Sequence, residues 1–294
     1  MADPVRDQTL TLPDGRRLGW CEFGDPEGRP LLAFHGTPGS RTMIRVIDRE
    51  ARAWRVRVIA PDRPGFGLST FQRDRRLLDW PDDVEALADH LRLERFVAAG
   101  VSGGGPYALA CGYKLAGRVT RVGVVSSMGP VVESGLKAPL LHTPMASLVL
   151  LQHTPRLVRA VSASVAFGVR RFPDKVFDSL LMVSSRRDRE VLGRPQVRAA
   201  LLEAFREAFR SGVEGTAHEI VLFGREWGFD LREVQVPVHL WHGESDGQVP
   251  VQLARFMAQR LPRCQARFIP EAGHYWIFDH QTDLLRALFP PAGR

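Results

Sequence analysis

The sequence predicts an α/β fold in which a mostly parallel sheet is flanked by helices and interrupted by one all-helical insertion. Short apolar runs alternate with helical patterns up to residue 129 and again over residues 231–294, as is typical of strands buried on both faces. Over residues 130–230 only helical patterns remain. We therefore expect a core domain formed by residues 1–129 and 231–294 and an inserted helical unit formed by residues 130–230.

The first part of the chain begins with a predicted β-hairpin. Residues 9–12 and 17–23 flank Pro13-Asp14-Gly15, a sequence that favours a tight turn. Strands and helices then alternate along the chain. The predicted strands are residues 30–34, 56–60, 96–101 and 119–125, and the predicted helices are residues 79–91 and 107–115.

The middle of the chain carries apolar helical faces separated by prolines, with no convincing strand. These faces lie at residues 148–151, 157–169, 176–182, 197–209 and 217–223. Alternation resumes with strands at residues 236–241 and 265–269 and helices at residues 251–260 and 277–288.

The composition is that of an ordinary globular protein with a basic excess. The chain has 294 residues and a net charge of +7, carried almost entirely by arginine. The arginines form no long run, and no nucleic-acid-binding motif accompanies them, so we expect a solvated surface and no nucleic-acid partner. We expect a monomer or homodimer that binds a small-molecule substrate.

The cysteines and the N-terminus suggest neither a metal site nor export. Cys21, Cys111 and Cys264 are far apart and form no C-x-x-C pair, so no zinc site or disulfide framework is expected, and no cofactor is implied. The polar start of the chain lacks a signal-peptide pattern, and no apolar run approaches transmembrane length. A soluble, cytoplasmic protein without membrane insertion is the expectation.

The most informative stretch is a serine among glycines at the end of a predicted strand. Gly100-Val101-Ser102-Gly103-Gly104 fits G-x-S-x-G, the motif of a sharp strand-to-helix turn that exposes a nucleophilic serine. Such a turn strains the serine backbone and needs neighbours without side chains. Glycine-rich strand–helix turns also bind phosphate, so the motif alone leaves both functions open.

A nucleophilic serine needs a general base, and His274 is the best placed of the nine histidines. It lies in the loop between the last predicted strand and the last predicted helix. The other histidines lie in helices, in the insertion or in a strand, or directly precede a glycine. We interpret His35 as a loop-shaping residue and regard His242 as a poor competitor.

The acid that orients the base is expected in the loop after residues 236–241. This loop offers Glu244 and Asp246, and we select Asp246 because it lies deeper in the loop, beside Gly247. Glu133, shortly after another strand, is a weaker alternative. The order serine, aspartate, histidine is the one found in nucleophile-elbow enzymes.

The oxyanion that forms during acyl transfer needs two preorganised donors. One is expected to be the N–H of Gly103, the residue after the nucleophile. The other is expected to be the N–H of Thr37, because the next residue, Pro38, has no N–H.

Together these segments resemble the α/β-hydrolase fold superfamily over nearly the whole chain outside the insertion. The matching segments are His35-Gly36-Thr37-Pro38-Gly39, Asp62-Arg63-Pro64-Gly65-Phe66-Gly67-Leu68-Ser69, Gly100-Val101-Ser102-Gly103-Gly104, His242-Gly243-Glu244-Ser245-Asp246 with Val249-Pro250, and Gly273-His274. The resemblance implies an eight-stranded, mostly parallel sheet and a helical cap over the active site. It also implies Ser102 as nucleophile, Asp246 as acid and His274 as base, and it assigns residues 62–69 a shaping role.

Within the superfamily the chain is similar to small capped hydrolases, including those like proline iminopeptidases. That subgroup usually has glycine after the His-Gly pair and tryptophan after the nucleophile, where this chain has Thr37 and Gly103. Haloalkane dehalogenases and most epoxide hydrolases use an aspartate nucleophile, which Ser102 does not match.

The leading functional hypothesis is a carboxylesterase-like serine hydrolase that cleaves a small, largely apolar ester or related acyl substrate through an acyl-enzyme. A second hypothesis keeps the same three residues for other chemistry, because the fold supports iminopeptidases, C–C bond hydrolases, perhydrolases, lyases and cofactor-free oxygenases. A third is a ligand-binding protein without turnover.

Overall fold

The centre of the molecule is an eight-stranded sheet, seen in a computed structural model that describes residues 7–141, 143 and 147–290. The strands occur in the order β1-β2-β4-β3-β5-β6-β7-β8 across the sheet. Strand β1 pairs antiparallel with β2, and β2 pairs antiparallel with β4. The six strands β3 to β8 are parallel to one another. The strands are β1 Gln8–Thr11, β2 Arg17–Gly24, β3 Arg29–Phe34, β4 Val56–Pro61, β5 Phe96–Val101, β6 Val119–Val125, β7 Val238–Gly243 and β8 Cys264–Ile269.

The α-helices lie on both faces of the sheet and in the insertion. They are α1 Asp48–Ala53, α2 Trp80–His90, α3 Gly105–Lys114, α4 Val131–Ser134, α5 Lys137–Leu140, α6 Pro155–Arg171, α7 Pro173–Met182, α8 Arg186–Leu192, α9 Pro195–Ala208, α10 Glu214–Phe223, α11 Val251–Arg260 and α12 Gln281–Leu288. Short 3-10 helices lie at Arg41–Ile47, Leu77–Asp79, Ser102–Gly104, Leu148–Leu151, Leu231–Glu233 and Trp276–Asp279.

The central strands are buried on both faces, as their continuous apolar runs predict. In β3, Leu32 packs in one core with α2 and α3, whereas its neighbours Leu31 and Ala33 pack in the opposite core with α1 and α12. This alternation follows from the two-residue period of a strand. Burying each leucine side chain stabilises the fold by about 1.5–3 kcal/mol. The sheet is therefore a rigid platform for the loops at its carboxyl end.

The predicted α/β core with a helical insertion is confirmed. Between β6 and β7 the described residues form α4 to α10 and contain no strand. The sequence analysis did not predict α8 or the helical segment from Arg41 to Ala53. Helix α8 is short and mostly polar, so it lacks the apolar period on which helix prediction depends. The segment from Arg41 to Ala53 does bury Ile44, Ile47 and Ala51 at helical spacing, and this signal was missed.

The helix predicted for residues 277–288 is divided in two. A 3-10 turn at Trp276–Asp279 precedes α12, and the two are separated at His280, whose backbone angles of φ −124° and ψ 25° are not helical. None of the helices that the structure describes combines the length and the apolar character needed to cross a membrane.

Candidate active site

Ser102 lies on a strained turn between β5 and α3. Its φ is +55°, in the left-handed region that residues with side chains rarely adopt. A Cβ atom on Gly100 would overlap the backbone of Gly104, and one on Gly104 would overlap the carbonyl oxygen of Phe34. The strand and the helix can approach this closely only because both positions are glycine. The sharp turn that the motif predicts is therefore present.

A buried hydrogen bond joins His274 to Asp246. His274 Nδ1 lies 2.8 Å from Asp246 Oδ2, and both side chains are buried. The other carboxylate oxygen, Oδ1, accepts the N–H groups of Gln248 at 2.8 Å and Val249 at 2.9 Å. These contacts fix the carboxylate, so the imidazole donates from Nδ1 and keeps its lone pair on Nε2.

The charges of this pair shift both pKa values in the direction that favours an ion pair. Burial alone would lower the pKa of His274, but the charge and hydrogen bond of Asp246 raise that pKa above its usual value. Burial alone would raise the pKa of Asp246, but the facing imidazole lowers it. Asp246 is thus held as the carboxylate that stabilises a protonated His274.

The two alternative acids lie elsewhere. Glu244 is exposed and forms an ion pair with Arg255 at 2.8 Å. Glu133 is also exposed, and its Oε1 accepts the backbone N–H of Trp227 at 3.4 Å. Among the three candidates, Asp246 alone forms a hydrogen bond with His274 within the described part of the chain.

A second histidine lies against the same carboxylate. His242 Nε2 lies 3.3 Å from Asp246 Oδ2 and 3.0 Å from the carbonyl oxygen of Val249. Because both neighbours are acceptors, Nε2 carries the proton. Burial, only partly offset by Asp246, lowers the pKa of His242. The residue is therefore a neutral donor that helps to hold Asp246 in place.

Thr37 and Gly103 are adjacent, as required of two residues that share one oxyanion. A Cβ atom on Gly103 would overlap the side chain of Thr37 at Oγ1. The absence of a side chain after Ser102 therefore makes room for threonine in the loop after β3. The carbonyl oxygen of Ser102 accepts the N–H of Met128 at 3.2 Å, which links the turn to the end of β6.

A buried ionic cluster of Glu219, Arg63 and Arg75 is hydrogen-bonded to the loop that carries Thr37. Glu219, on α10, accepts hydrogen bonds from Thr37 Oγ1 at 2.5 Å, from Arg63 Nε at 2.6 Å and from Arg75 Nη2 at 3.1 Å. Arg63 also donates to the carbonyl oxygens of His35 and Gly36. Burial alone would raise the pKa of Glu219, but the arginines lower it to about 2. The carboxylate is therefore ionised and joins the insertion to this loop.

A second carboxylate of the insertion is hydrogen-bonded to the loop that carries His274. Asp188, on α8, accepts the backbone N–H of His274 at 2.8 Å and that of Tyr275 at 2.7 Å. Asp188 is buried, and its own N–H donates to Ser185 Oγ at 3.1 Å. The backbone that carries the imidazole is thus fixed by a residue outside the α/β core.

Ser102, Thr37, Gly103 and His274 all line one cavity of about 390 Å³. Helices of the insertion contribute apolar wall residues, which are Val161, Val165, Val169, Val176, Leu180, Leu201, Phe205, Ile220 and Phe223. No aspartate, glutamate, lysine or arginine occurs among the described residues of the lining. No hydrogen bond joins Ser102 Oγ to His274 within the described residues.

The sequence of this chain matches the model of one protein family. Residues 31–288 match the family model described as "Alpha/beta hydrolase family". The chain belongs to the alpha/beta hydrolase family. The resemblance inferred from the loop motifs is therefore confirmed.

Relatives of this alpha/beta hydrolase have several activities. A 2-hydroxymuconate semialdehyde hydrolase of Pseudomonas putida is 24% identical over 277 residues, covering 88% of this chain and 85% of that protein. A proline iminopeptidase of Arabidopsis thaliana is 31% identical over 114 residues, only 37% of this chain and 29% of that protein. An esterase structure from Thermogutta terrifontis has a TM-score of 0.67 at 23% identity, with 96% of each chain covered, which shows the shared fold.

Sequence reasoning about this alpha/beta hydrolase missed four residues that support the site. It gave residues 62–69 a shaping role without identifying Arg63 as the link to the insertion, and it regarded His242 only as a competing base. It named neither Asp188 nor Glu219. Glu219 did leave a signal, because it is the one acidic residue in the apolar segment 217–223, and a buried acid needs partners.

Proposed function

We propose that this chain is a serine hydrolase in which Ser102 is the nucleophile, His274 the general base and Asp246 the orienting acid. One observation carries the proposal. His274, joined to Asp246 at 2.8 Å, and the strained Ser102 turn line the same cavity. A serine hydroxyl and an imidazole oriented by a carboxylate, both lining one cavity, are the groups that activate serine in acyl transfer.

The proposed reaction proceeds through an acyl-enzyme. His274 Nε2 takes the Ser102 hydroxyl proton as Oγ forms a bond to the acyl carbon. The N–H groups of Gly103 and Thr37 stabilise the negative charge that develops on the carbonyl oxygen. The protonated imidazole then gives its proton to the leaving alkoxide. Water, activated by the same imidazole, attacks the acyl-enzyme and releases the acid and free Ser102.

The cavity lining supports a small, largely apolar and uncharged substrate. A carboxylate or an ammonium group would lose its hydration in this cavity without meeting a counter-ion among the described lining residues. This argument favours a neutral ester over a substrate that carries a carboxylate or an ammonium group. The volume of about 390 Å³ is in the range usual for small-molecule sites.

We further propose that residues 130–230 act as a cap domain. Helices α6, α7, α9 and α10 supply much of the cavity wall, and their contribution supports this assignment. The cap would exclude water from the reacting groups and select the substrate, while the sheet loops supply the chemistry.

Hydrolysis of matched neutral and charged esters tests this proposal. We expect turnover of p-nitrophenyl butyrate and hexanoate, and far slower turnover of the p-nitrophenyl hemiester of adipic acid, which adds a carboxylate. Ser102→Ala should abolish the activity. Ser164→Ala, on the exposed side of α6, is the matched control and should retain it. Unchanged turnover in Ser102→Ala would exclude the proposed nucleophile.

A further inference from the structure

Two buried polar groups in the cavity wall lack hydrogen-bond partners. Gln248 and Thr216 line the cavity and are only 4% and 5% exposed. Gln248 Nε2 and Thr216 Oγ1 have no partner among the described residues. A buried donor without a partner is costly to the folded state, and a ligand oxygen that reaches it restores the missing hydrogen bond.

Other hydroxyl groups of the same wall are already paired. Ser162 Oγ donates to the carbonyl oxygen of Val158 at 2.9 Å, and Ser179 Oγ donates to that of Lys175 at 2.9 Å. Thr37 Oγ1 is bound to Glu219. Among the described residues of the lining, Gln248 Nε2 and Thr216 Oγ1 are the fully buried side-chain polar atoms that lack a partner.

Both residues lie on elements that are hydrogen-bonded to the proposed catalytic loops. The backbone N–H of Gln248 donates to Asp246 Oδ1 at 2.8 Å, so the residue belongs to the loop that carries the acid. Thr216 lies on α10, one helical turn before Glu219, which bonds to Thr37. The backbone at both positions is therefore ordered before any substrate enters, which is the condition for selective binding.

The chemistry of the two groups defines what they can bind. A primary amide and a hydroxyl both donate hydrogen bonds, and neither carries a charge. The described lining supplies no cation that would compensate a carboxylate. A neutral acceptor oxygen, such as that of a ketone or an ether, satisfies these donors without the cost of burying a charge.

We propose that Gln248 and Thr216 bind a neutral oxygen of the substrate other than the oxygens of the scissile ester. The preferred substrates would then be oxo- or alkoxy-substituted acyl esters rather than simple alkanoates. This inference rests on the proposed serine hydrolase function and specifies the substrate class of the same site.

The test compares p-nitrophenyl hexanoate with its 3-oxo, 4-oxo and 5-oxo analogues. For at least one oxo ester we expect a kcat/KM about tenfold above that of the plain ester, the scale of one hydrogen bond. Gln248→Met removes the amide at nearly constant volume, and Thr216→Val removes the hydroxyl at nearly constant shape. Either change should reduce the oxo-to-plain ratio. A ratio of one or less for every analogue in the unmodified chain would overturn the proposal.

Two further variants separate specificity from damage to the fold. Thr216→Ser keeps the hydroxyl and should keep the ratio, whereas Ser162→Ala removes a cavity hydroxyl that is already paired and should also keep it. Loss of the ratio in Ser162→Ala to the same extent as in Gln248→Met would overturn the assignment, because any change to the wall would then have that effect.

A binding measurement keeps the inference independent of turnover. Calorimetric titration of the Ser102→Ala chain with methyl hexanoate and its three methyl oxohexanoate analogues gives dissociation constants without reaction. We expect at least one oxo ester to bind about tenfold more tightly and to lose this advantage in Gln248→Met. Equal dissociation constants would overturn the inference even if the esters are hydrolysed. A clear preference without hydrolysis would instead refute the proposed function alone.

Discussion

Glu219 Oε2 accepts a 2.5 Å hydrogen bond from Thr37 Oγ1, which joins helix α10 of the insertion directly to the loop after β3. Asp188 makes the corresponding link on the other side of the site, to the backbone N–H groups of His274 and Tyr275. The insertion therefore contributes two buried carboxylates, each bonded to a different loop of the proposed active site. Its contact with the core should affect catalysis as well as substrate access.

Glu219→Gln should destabilise the fold in a pH-dependent way. At pH 7 we expect a loss of about 3–5 kcal/mol, because Arg63 and Arg75 would be left buried without a counter-charge. A carboxyl group whose pKa is lowered by folding stabilises the fold above its unfolded pKa and loses that contribution as the pH falls through the folded value. The difference between variant and parent should thus shrink between pH 4.5 and about 2.

Urea unfolding at neutral and acidic pH measures this difference. Glu203→Gln is the matched control, because Glu203 forms a partly exposed ion pair with Arg45 at 3.3 Å. Its effect should stay within about 0.5 kcal/mol. If Glu219→Gln destabilises the fold equally at pH 7 and pH 3, the ionised cluster is not the cause.

Asp188→Ala should lower kcat with little change in KM. The substitution removes the acceptor for the N–H groups of His274 and Tyr275, so the imidazole would lose its fixed position while the cavity wall persists. A loss of about 100-fold in kcat is the scale of a small misplacement of a catalytic group. Asp188→Asn, which keeps one oxygen acceptor, should give a smaller loss.

Steady-state kinetics on a neutral ester, with folded protein measured by thermal unfolding, tests the role of Asp188. The control is Asp178→Ala, since Asp178 is exposed on α7 and lies 3.5 Å from Arg198. If kcat per folded molecule is unchanged in Asp188→Ala, Asp188 only stabilises the fold.

Asp246→Asn should change both the rate and its pH dependence. The variant loses the charge that raises the pKa of His274, so the acidic limb of the kcat/KM profile should move to lower pH. The amide also favours the wrong imidazole tautomer, and kcat should fall by about 10⁴-fold. A profile between about pH 5 and 9 measures the shift. An acidic limb that stays in place would mean that Asp246 does not set this pKa.

Gly103→Ala should impair the proposed oxyanion site through Thr37. The added Cβ overlaps the Thr37 side chain, so one of the two backbone donors must move. Losing one such donor costs about 2.7–4 kcal/mol of transition-state stabilisation, or a factor of 10²–10³ in kcat. In the double variant that combines Thr37→Gly with Gly103→Ala the overlap is absent. Its loss in kcat should therefore be smaller than the combined losses of the two single variants. Additive losses would argue against this contact.

The sequence predicted those parts of the molecule that depend on local pattern. The strands, the serine turn and the positions of Asp246 and His274 at strand ends follow from apolar periodicity, glycine placement and chain order. The motif 62–69 was recognised, but the hydrogen bonds of Arg63 to the His35 and Gly36 carbonyls depend on how two loops meet. Only the three-dimensional structure gives that relationship.

The contributions of the insertion could not be predicted because they depend on how it packs on the sheet. Asp188 lies in a short polar helix without an apolar period, and nothing local indicates that its carboxylate caps the backbone at His274. His242 was expected only to compete poorly with His274, whereas both imidazoles contact the Asp246 carboxylate. Its role depends on the fold of the loop over residues 242–250.

Labelling by a fluorophosphonate probe tests the central assignment most directly. An activated serine attacks the phosphorus, releases fluoride and keeps a covalent adduct that mass spectrometry can locate on one peptide. We expect a single adduct on Ser102, lost in Ser102→Ala, strongly slowed in His274→Ala and unchanged in Ser164→Ala. An adduct on another residue, or labelling of Ser102 that is equally fast without His274, would contradict the proposed catalytic triad.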